Sequence, residues 1–391
     1  MLKIKHFVHP LRTARIARER LRVNLQRRHF ASTSYNHFRA DPRYDLQNVT
    51  KGFVPRFADS GSEDTQLLQR ICTAYGKALA DQRFAPRCYE PTEWWKEIQR
   101  CALGPVMHAL RNSNIEALRG MYRNFFRDPC GGGLVGIPFG TLKAYFQASM
   151  KDVYRRTYLG DALYRIDYWT AQTGGRFNLS DLRSPAIGNP FGVLIDGTLV
   201  RSASEFQHYC AHQILKLRSG RGVVAEIGGG YGGLAYYLLR DSEAVTYVDF
   251  DVPESIALAS YYLLKAFPSM RFVLYGEKAL TPETLSTSDV VLMPLFELPK
   301  LPISSVQVTF SSHALSDLTP GALADYMKVT VHSTKNYFLY LGGDVVAGTI
   351  SAVLREIHNA PVPSEMRPSN WNRHIAPDVR EVECTYGLAR V

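Results

Sequence analysis

The stretch VVAEIGGGYGGLAYYLL, residues 223–239, decides the fold class of this protein. Its first five residues form the short apolar run typical of a buried strand, and the glycines after them permit a tight turn. From Leu234 onward, apolar residues recur at the spacing of a helix. We therefore predict a strand, a turn and a helix in that order, which is how a parallel sheet begins.

The chain on both sides of this stretch alternates in the same way. Helices are predicted at Ser204–Leu217, from Pro253, and over residues 320–331, where Thr319 and Pro320 suit an N-cap and a first turn. The further predicted strands are Ala244–Asp249, Asp289–Met293, Val306–Phe310 and Tyr337–Leu341. Such alternation implies an α/β fold with a Rossmann-like sheet covered on both faces, whose ligands bind beyond the carboxyl ends of the strands.

The spacing of the glycines leaves the ligand undecided. Gly228, Gly230 and Gly233 match the G-x-G-x-x-G of dinucleotide-binding proteins. Gly228, Gly230 and Gly232 match the G-x-G-x-G of methyltransferases equally well. The glycines therefore show only that the backbone turns tightly and lets a ligand approach.

Glu226, two residues before the first glycine, separates the two cofactors by charge. Beside a pyrophosphate its carboxylate would cost on the order of a few kcal/mol in a partly buried site. Beside the ammonium and sulfonium of S-adenosylmethionine the same carboxylate is attractive. We therefore predict S-adenosylmethionine, although a solvated Glu226 at the strand end is the alternative. The predicted contacts along the turn are Gly228, Gly229, Gly230, Tyr231 and Gly232.

Two acids close the second predicted strand, about 20 residues after the glycines. A carboxylate at this place accepts hydrogen bonds from both ribose hydroxyls of a bound nucleoside. Asp249 and Asp251 both qualify, and we prefer Asp251 because it lies just before the Pro253 helix. Capping that helix is the alternative role for Asp251. Leu295 and Phe296, after the third strand, are predicted either to border the adenine or to lie in the core.

Several motifs in order resemble those of the bacterial sugar O-methyltransferase family, over roughly residues 150–345. They are Val224–Ala235, Asp251-Val252-Pro253-Glu254, Ala259–Pro268, Ser311–Asp317 and the lead-in Gly188-Asn189-Pro190-Phe191-Gly192. The resemblance implies a class I methyltransferase sheet. It also implies methyl transfer from S-adenosylmethionine to a sugar hydroxyl in glycan or secondary-metabolite biosynthesis.

A more distant resemblance, to plant small-molecule O-methyltransferases, concerns His313. Those enzymes carry a catalytic histidine after the fourth strand, in a His-Asp-Trp segment, and His313 stands at the matching place without the tryptophan. A hydroxyl is a poor nucleophile at neutral pH, so a positioned base helps, and histidine titrates in the right range. We predict His313 as that base, with a structural histidine as the alternative. Asp317 would either orient its ring or cap the helix from residue 320.

Three further residues are candidates for binding the acceptor. His208 and His212 lie four residues apart on one predicted helix face, which suits the lining of an acceptor pocket or simple packing. That spacing also suits a metal, but no acidic neighbour of the H-E-x-x-H kind is present, so no metal is predicted. Asn189, in an Asn-Pro-Phe-Gly turn, is a candidate for hydrogen-bonding the acceptor.

The positive charge of the chain is concentrated at one end. Residues 1–30 carry nine Lys or Arg against one acid, a net +8 out of the chain's +10. The nearly neutral remainder does not indicate specific nucleic-acid binding. The basic arm, with Pro10 at the start of a predicted helix, has three interpretations: a solvated arm, a helix on an anionic membrane surface, or a transit peptide.

Composition bounds the remaining possibilities. The chain has 391 residues, 46% of them hydrophobic, and is long enough for two domains. Its six cysteines contain no C-x-x-C pair, which favours a reducing compartment such as the cytoplasm. No apolar run is long enough to span a membrane and no signal peptide is found. We divide the chain into a basic arm (1–30), a linker (31–65), a mainly helical substrate or cap region (66–200) and a cofactor domain (201–391).

The sequence thus favours a sugar O-methyltransferase. A methyltransferase for a phenolic or other small-molecule hydroxyl is the nearest alternative. A non-catalytic protein that uses its basic arm on a membrane or nucleic acid is the alternative of another class, and Glu226, Asp251 and His313 together argue against it. A dehydrogenase is disfavoured by Glu226. The particular sugar, the hydroxyl and the oligomeric state are left open.

Overall fold

The computed structural model describes residues 10–57, 63–135, 152–358, 362–376 and 378–388. The first nine residues of the basic arm, and residues 136–151 of the predicted helical region, lie outside the described residues. Within them, a helical N-terminal half packs onto an α/β half.

Ten strands are described, two in a small hairpin and eight in one large sheet. They are β1 (Gly192–Ile195), β2 (Thr198–Arg201), β3 (Gly222–Ile227), β4 (Val245–Asp251), β5 (Phe272–Leu274), β6 (Val290–Pro294), β7 (Val306–Ser312), β8 (Thr334–Gly343), β9 (Ser364–Ser369) and β10 (Glu381–Gly387). Thirteen α-helices are described. They are α1 (Pro10–Phe38), α2 (Leu46–Gly52), α3 (Glu63–Gln82), α4 (Glu93–Ile98), α5 (Gly104–Arg111), α6 (Ile115–Tyr122), α7 (Asp152–Thr173), α8 (Ser204–Leu217), α9 (Gly233–Arg240), α10 (Pro253–Ala266), α11 (Pro282–Thr287), α12 (Pro320–Ser333) and α13 (Asp344–His358).

The large sheet has the order β5-β6-β4-β3-β7-β8-β10-β9. Strands β3 to β8 are parallel where they pair, and β10 is antiparallel to both β8 and β9. From β3 the chain builds the sheet to one side through β4 and then returns to the other side at β7. The strand order therefore reverses between β3 and β7, and ligands of such sheets bind at this switch point.

The predicted α/β fold with a Rossmann-like sheet is confirmed, and so are the five predicted strands. Sequence patterning missed the short edge strand β5, the β1–β2 hairpin and the C-terminal pair β9 and β10. These elements are short or partly exposed, so they lack the long apolar run that marks β3 or β6. The predicted N-cap of α12 is also confirmed, because the Thr319 side chain accepts a hydrogen bond from the Ala322 amide.

Alternation along β3 and β4 explains how the sheet is buried on both faces. Val224 and Tyr247 belong to one apolar cluster, which includes the N-terminal helices. Their neighbours Ala225 and Val248 point the other way into a second cluster with α12 and α13. Burying an apolar side chain of this size contributes roughly 1.5–3 kcal/mol, which holds the central strands in register.

The segment predicted as a linker is instead largely helical. Helix α1 runs through to Phe38, which is buried against α7, and α2 packs on β1. A Cβ on Gly52 in α2 would collide with the Gly192 carbonyl, so the two segments touch through backbone. In the basic arm, the described side chains of Leu21 and Leu25 are exposed. Among the described residues, no helix combines the length and apolar character needed to cross a membrane.

Candidate active site

A cavity of about 570 Å³ opens at the switch point of the sheet. Its floor is formed by the carboxyl ends of β3, β4 and β7, and Trp94, Trp95 and Leu134 from the helical half cover it. The predicted residues that line it are Glu226, Gly228, Gly229, Gly230, Tyr231, Asp251, Leu295 and His313. The fold thus brings the glycine turn and the proposed base to one space.

The glycine turn between β3 and α9 depends on glycine for two separate reasons. Gly228, Gly230 and Gly232 have φ angles of 85°, 62° and 87°, which other residues adopt only with strain. A Cβ on Gly228 would also collide with the Ala314 side chain. The turn therefore passes close under the segment that follows β7.

Two acids of β4 hold this turn from beneath. The Gly229 amide donates to Asp249 Oδ1 at 3.0 Å, and the Gly230 amide donates to Asp251 Oδ2 at 2.8 Å. Asp249 is fully buried under the turn, whereas Asp251 lines the cavity. The two candidates for ribose binding therefore separate: Asp251 faces the space for a ligand, and Asp249 supports the backbone. Asp251 does not cap α10, whose N-cap is Val252.

Glu226 lies on β3 directly beside Asp249 of β4 in the parallel register. Its side chain is buried, lines the cavity, and accepts a hydrogen bond from Tyr247 Oη at 2.6 Å. Burial raises the pKa of Glu226 to about 7, the Tyr247 hydrogen bond opposes the rise, and the charge of Asp251 adds to it. The alternative of a solvated strand-end residue is therefore wrong.

The three carboxylates form one acidic cluster at the strand ends. Burial likewise raises the pKa of Asp251 to about 7, although it accepts from the Gly230 and Val252 amides, and raises that of Asp249 as well. Asp249 Oδ2 is buried without a hydrogen-bond partner among the described residues. Because like charges crowd here, a cationic ligand is favoured and a pyrophosphate is repelled. The donor set therefore fits S-adenosylmethionine better than a dinucleotide.

His313 begins the short helical turn that follows β7. Its side chain is 52% exposed and faces the cavity, with Nε2 3.9 Å from Glu381 Oε1. Desolvation in the cleft lowers the pKa of His313, and the Glu381 carboxylate acts in the opposite direction. Glu381 is itself held by the Asn372 amide, which donates to its two oxygens at 2.9 and 3.1 Å. His313 is therefore an open cleft residue rather than one packed under the sheet.

Neither role considered for Asp317 is realised. The N-cap of α12 is Thr319, and the carboxylate nearest to the His313 ring is Glu381 of β10. Asp317 instead lines the cavity with an exposed side chain. Glu381 was missed because it lies on a strand far along the chain that reaches the site only by pairing with β8.

Two other predicted cofactor contacts lie outside the cavity. Phe296 packs edge-on against Tyr275, with 5.5 Å between ring centroids, whereas its neighbour Leu295 does line the space. Gly232 is the N-cap of α9 and packs on Leu263. In each of these two turns, one residue lines the cavity and the next residue points away from it.

His208 and His212 do not belong to the lining of this cavity, which corrects their assignment to the acceptor pocket. They occupy the face of α8 that packs on Phe177, at 4.8 and 4.4 Å between ring centroids. Trp169 Nε1 donates to His208 Nδ1 at 3.2 Å. Burial lowers the pKa of His208 to about 4, so its ring is neutral at pH 7. Both histidines therefore serve the packing of α8.

Folding also supplies the acidic partner that the sequence around the two histidines lacks. Asp241 Oδ2 lies 3.2 Å from His212 Nε2, and possible ligand atoms of Asp241 and both histidines fall within 4.8 Å. However, an indole can only donate, so Trp169 leaves the proton of His208 on Nε2, the atom that would bind a metal. In a metal-binding histidine the nitrogen that faces the metal carries no proton, and the other ring nitrogen donates its proton to a neighbouring acceptor. Arg240 also pairs with Asp241 at 2.6 Å, so the Asp241 carboxylate is already engaged by a guanidinium beside His212.

Asn189 is buried away from the cavity, which corrects its assignment to the acceptor. Its Oδ1 accepts from the Arg56 amide at 2.8 Å and its Nδ2 donates to Asn124 Oδ1 at 2.7 Å. Its φ of 56° is the left-handed conformation that asparagine tolerates better than most residues. Asn189 therefore ties three segments of the helical half together.

Contacts between the two halves were not predicted. Trp95 Nε1 and Gln99 Nε2 both donate to Glu254 Oε1, each at 2.6 Å. Glu254 stands in the first turn of α10, just after Asp251. Trp95 also lines the cavity, so the cover of the site is fastened to the helix that follows the ribose-binding candidate. The only sequence signal was Glu254 itself, within the Asp-Val-Pro-Glu motif.

The fold and the site define a Rossmann-like protein with an acidic cofactor cleft. No family model matches the chain, and no curated protein matches it by sequence. Among solved structures, a geranyl diphosphate C-methyltransferase from Streptomyces coelicolor A3(2) is 9% identical, with a TM-score of 0.34 over 59% of this chain and 98% of that one. A methyltransferase dependent on S-adenosylmethionine from Aquifex aeolicus is 14% identical, with a TM-score of 0.31 over 54% of this chain and 98% of that one.

A tRNA (uracil-54, C5)-methyltransferase from Pyrococcus abyssi is also similar, at 12% identity and a TM-score of 0.30 over 47% of this chain and 38% of that one. That structure and the Streptomyces one hold S-adenosyl-L-homocysteine. Their named substrates differ widely, and the likeness is too distant to assign an acceptor or an activity. The fold assignment rests on the strand order of the sheet itself.

Proposed function

We propose that this protein is an S-adenosylmethionine-dependent O-methyltransferase that acts on a sugar hydroxyl. The observation that carries the proposal is the placement of Glu226 and Asp251. These two carboxylates end adjacent strands on either side of the glycine turn, and both face the cavity that also contains His313. A cationic methyl donor and a hydroxyl acceptor would meet there.

The cofactor would be held by residues at the β3 and β4 ends. Asp251 keeps lone pairs free to accept from ribose hydroxyls after its two backbone hydrogen bonds. Glu226 would lie opposite the positive charge of the methionine part, the exposed backbone of Gly228–Gly230 would let the ligand approach, and Leu295 would border the base. When bound, the cofactor supplies an electrophilic methyl group on a sulfonium.

His313 would take the proton from the acceptor hydroxyl. Its lowered pKa keeps the ring neutral and able to accept at pH 7. Glu381, 3.9 Å away, would stabilise the imidazolium that forms once the proton has moved. The remaining contribution of the chain is to hold the hydroxyl in line, which is worth more in such displacements than any single charge.

A sugar acceptor is supported by the resemblance of the quoted motifs and by polar side chains in the lining, among them Thr92, Gln207 and Ser316. A phenolic hydroxyl is the second candidate. It is favoured by the aromatic side chains of Trp94, Phe206 and Tyr326 in the same lining. Either ring would stack on these side chains.

Two measurements test the proposal. Titration calorimetry should show binding of S-adenosylmethionine and of its demethylated product, but not of NADH. Mass spectrometry of a glycan and phenol panel incubated with isotope-labelled cofactor should show the label on a sugar oxygen. Binding of NADH alone would exclude a methyltransferase, and label on phenols only would move the assignment to the second candidate.

A further inference from the structure

The cavity has a strongly one-sided charge. Its described lining contains four carboxylates, Glu90, Glu226, Asp251 and Asp317, and neither a lysine nor an arginine. The whole chain has the opposite balance, with 46 Lys and Arg against 36 Asp and Glu. The negative sign of the cavity is therefore a local arrangement and does not follow from composition.

The proposed cofactor accounts for only part of this charge. Under the proposed function, on which this inference rests, Glu226 and Asp251 serve the cofactor. Glu90 and Asp317 are left over. Asp317 lies four residues after His313 and is exposed, and no ion pair joins it to another described residue. A free carboxylate therefore stands close to the place where the acceptor hydroxyl must come.

Two arginines close to the site, Arg201 and Arg165, do not cancel the negative charge of the described lining. Arg201 is buried behind the lining, where it donates to Tyr231 Oη and to Gln207 Oε1, the latter at 3.1 Å. Arg165 is paired with Asp161 at 3.2 Å. Neither belongs to the described lining, so neither guanidinium can receive a phosphate or carboxylate in the cavity.

We infer that the acceptor carries no negative charge and is a neutral or amine-bearing sugar unit, and that Asp317 excludes anionic sugars. Phosphate recognition by side chains uses the bidentate guanidinium of Arg or the ammonium of Lys, and the described lining contains neither. An acceptor with a phosphate, uronate or nucleotide group would bring its charge against Asp317 and Glu90. At the effective dielectric of a partly open cleft, this repulsion lowers kcat/KM about tenfold or more.

The first test compares three matched acceptors: methyl glucoside, methyl glucosaminide and methyl glucuronide. We expect the uronide to be methylated about tenfold less efficiently than the other two, mainly through KM. Asp317→Asn should reduce the difference in kcat/KM between the uronide and the other two acceptors, and Asp317→Lys should make the uronide the better acceptor. Asp325→Asn, at a half-exposed acid of α12 that pairs with Lys328 outside the cavity, is the control and should leave the difference between acceptors unchanged. Equal or faster methylation of the uronide by the unchanged protein would overturn the inference while supporting methyl transfer.

The second test needs no acceptor. A thiol is placed in the cavity by Ser316→Cys, with Cys101→Ser to remove the exposed native thiol. Its reaction with a cationic and an anionic methanethiosulfonate is followed by peptide mass spectrometry, with S-adenosyl-L-homocysteine present and absent. The cation-to-anion rate ratio should exceed that of free 2-mercaptoethanol about tenfold, and Asp317→Lys should bring it to that reference value or below.

A ratio equal to that of the free thiol would sink the inference, whatever acceptor is found later. Failure of the proposed function is distinguishable from this result. In that case S-adenosylmethionine would not bind, while the thiol would still report the charge of the cavity.

Discussion

The two ends of the cavity are built in different ways. The cofactor end consists of Glu226, the glycine turn and Asp251, which belong to two consecutive strands and the turn between them. The proposed acceptor end combines His313 and Asp317 after β7, Glu381 of β10 and the cover around Trp94, which lie on three separate segments. Changes at the first end should therefore act locally on ligand binding. Changes at the second should act on catalysis, selectivity and the contact between the two halves.

The largest expected effect is at the turn itself. Gly230→Val forces a β-branched residue to a φ of 62° at the wall of the cavity, so cofactor binding should fall at least about a hundredfold in calorimetry. Gly174→Val imposes the same strain at a φ of 63°, where a Cβ meets no neighbouring atom, and should bind normally. If both variants lose cofactor affinity equally, backbone strain explains the loss and contact between Gly230 and the ligand does not.

The second effect separates chemistry from binding. His313→Ala should reduce turnover by about 10²–10⁴ and leave cofactor affinity unchanged, because in the proposed mechanism the ring accepts a proton and does not hold the cofactor. His332→Ala, at an exposed histidine of α12, is the control. Turnover of His313→Ala close to that of the unchanged protein would exclude this histidine as the base.

A third prediction concerns pH and distinguishes the cofactor end from the rest of the site. Since Glu226 and Asp251 have pKa values of about 7 in the free protein, protons must leave before they can attract a cation. Cofactor affinity should thus fall about tenfold from pH 8 to pH 6. Glu226→Gln should bind more weakly and lose part of this pH dependence. An affinity that rises on acidification would contradict the role given to these carboxylates.

The raised pKa values of Glu226 and Asp251 also predict how the stability of the free protein depends on pH. The folded state keeps protons on these two acids up to a pH of about 7, whereas the unfolded chain loses them near pH 4. Their contribution to the free energy of unfolding is therefore present at low pH and lost as the pH rises through 7. Thermal unfolding without cofactor should show stability falling between about pH 4 and pH 7 and level above pH 8, where bound cofactor offsets the loss.

A smaller effect is expected where the halves meet. Trp95→Phe removes the indole donor to Glu254, and a hydrogen bond to a carboxylate is worth about 1.5–3 kcal/mol. The melting temperature should drop by several degrees and cofactor affinity by a few fold. Trp94→Phe, at the half-exposed neighbour, should melt like the unchanged protein. Equal melting of both variants would mean that the Trp95 contact does not hold the cover.

The smallest effect on catalysis is predicted for the basic arm. Removing residues 1–25 leaves the buried Phe30 of α1 in place, so activity on a water-soluble acceptor should be unchanged. Association with anionic vesicles should fall, because each basic side chain near such a surface contributes about 1 kcal/mol. Unchanged vesicle sedimentation would remove the membrane role and leave the arm solvated.

The sequence predicts the position of some site residues better than that of others. Asp249 and Asp251 are indistinguishable in sequence as acids at a strand end, yet Asp251 lines the cavity and Asp249 is buried beneath the glycine turn. Alternation along a strand predicts that residues two positions apart share a face, so only the packing of the turn over β4 separates their roles. His208 and His212 were assigned correctly to one helix face, but which face met the cavity depended on how α8 docks.

By itself the sequence determined the α/β alternation, the glycine turn and the acid before it, because these depend on periodicity, backbone freedom and charge over a few neighbouring residues. Only the tertiary structure decided which acid faces the ligand. It also brought Glu381 to His313, fastened Trp95 to Glu254 and left the described lining of the cavity without a lysine or arginine. These contacts join residues far apart in the chain, and burial and strand pairing, which no short window contains, bring them together.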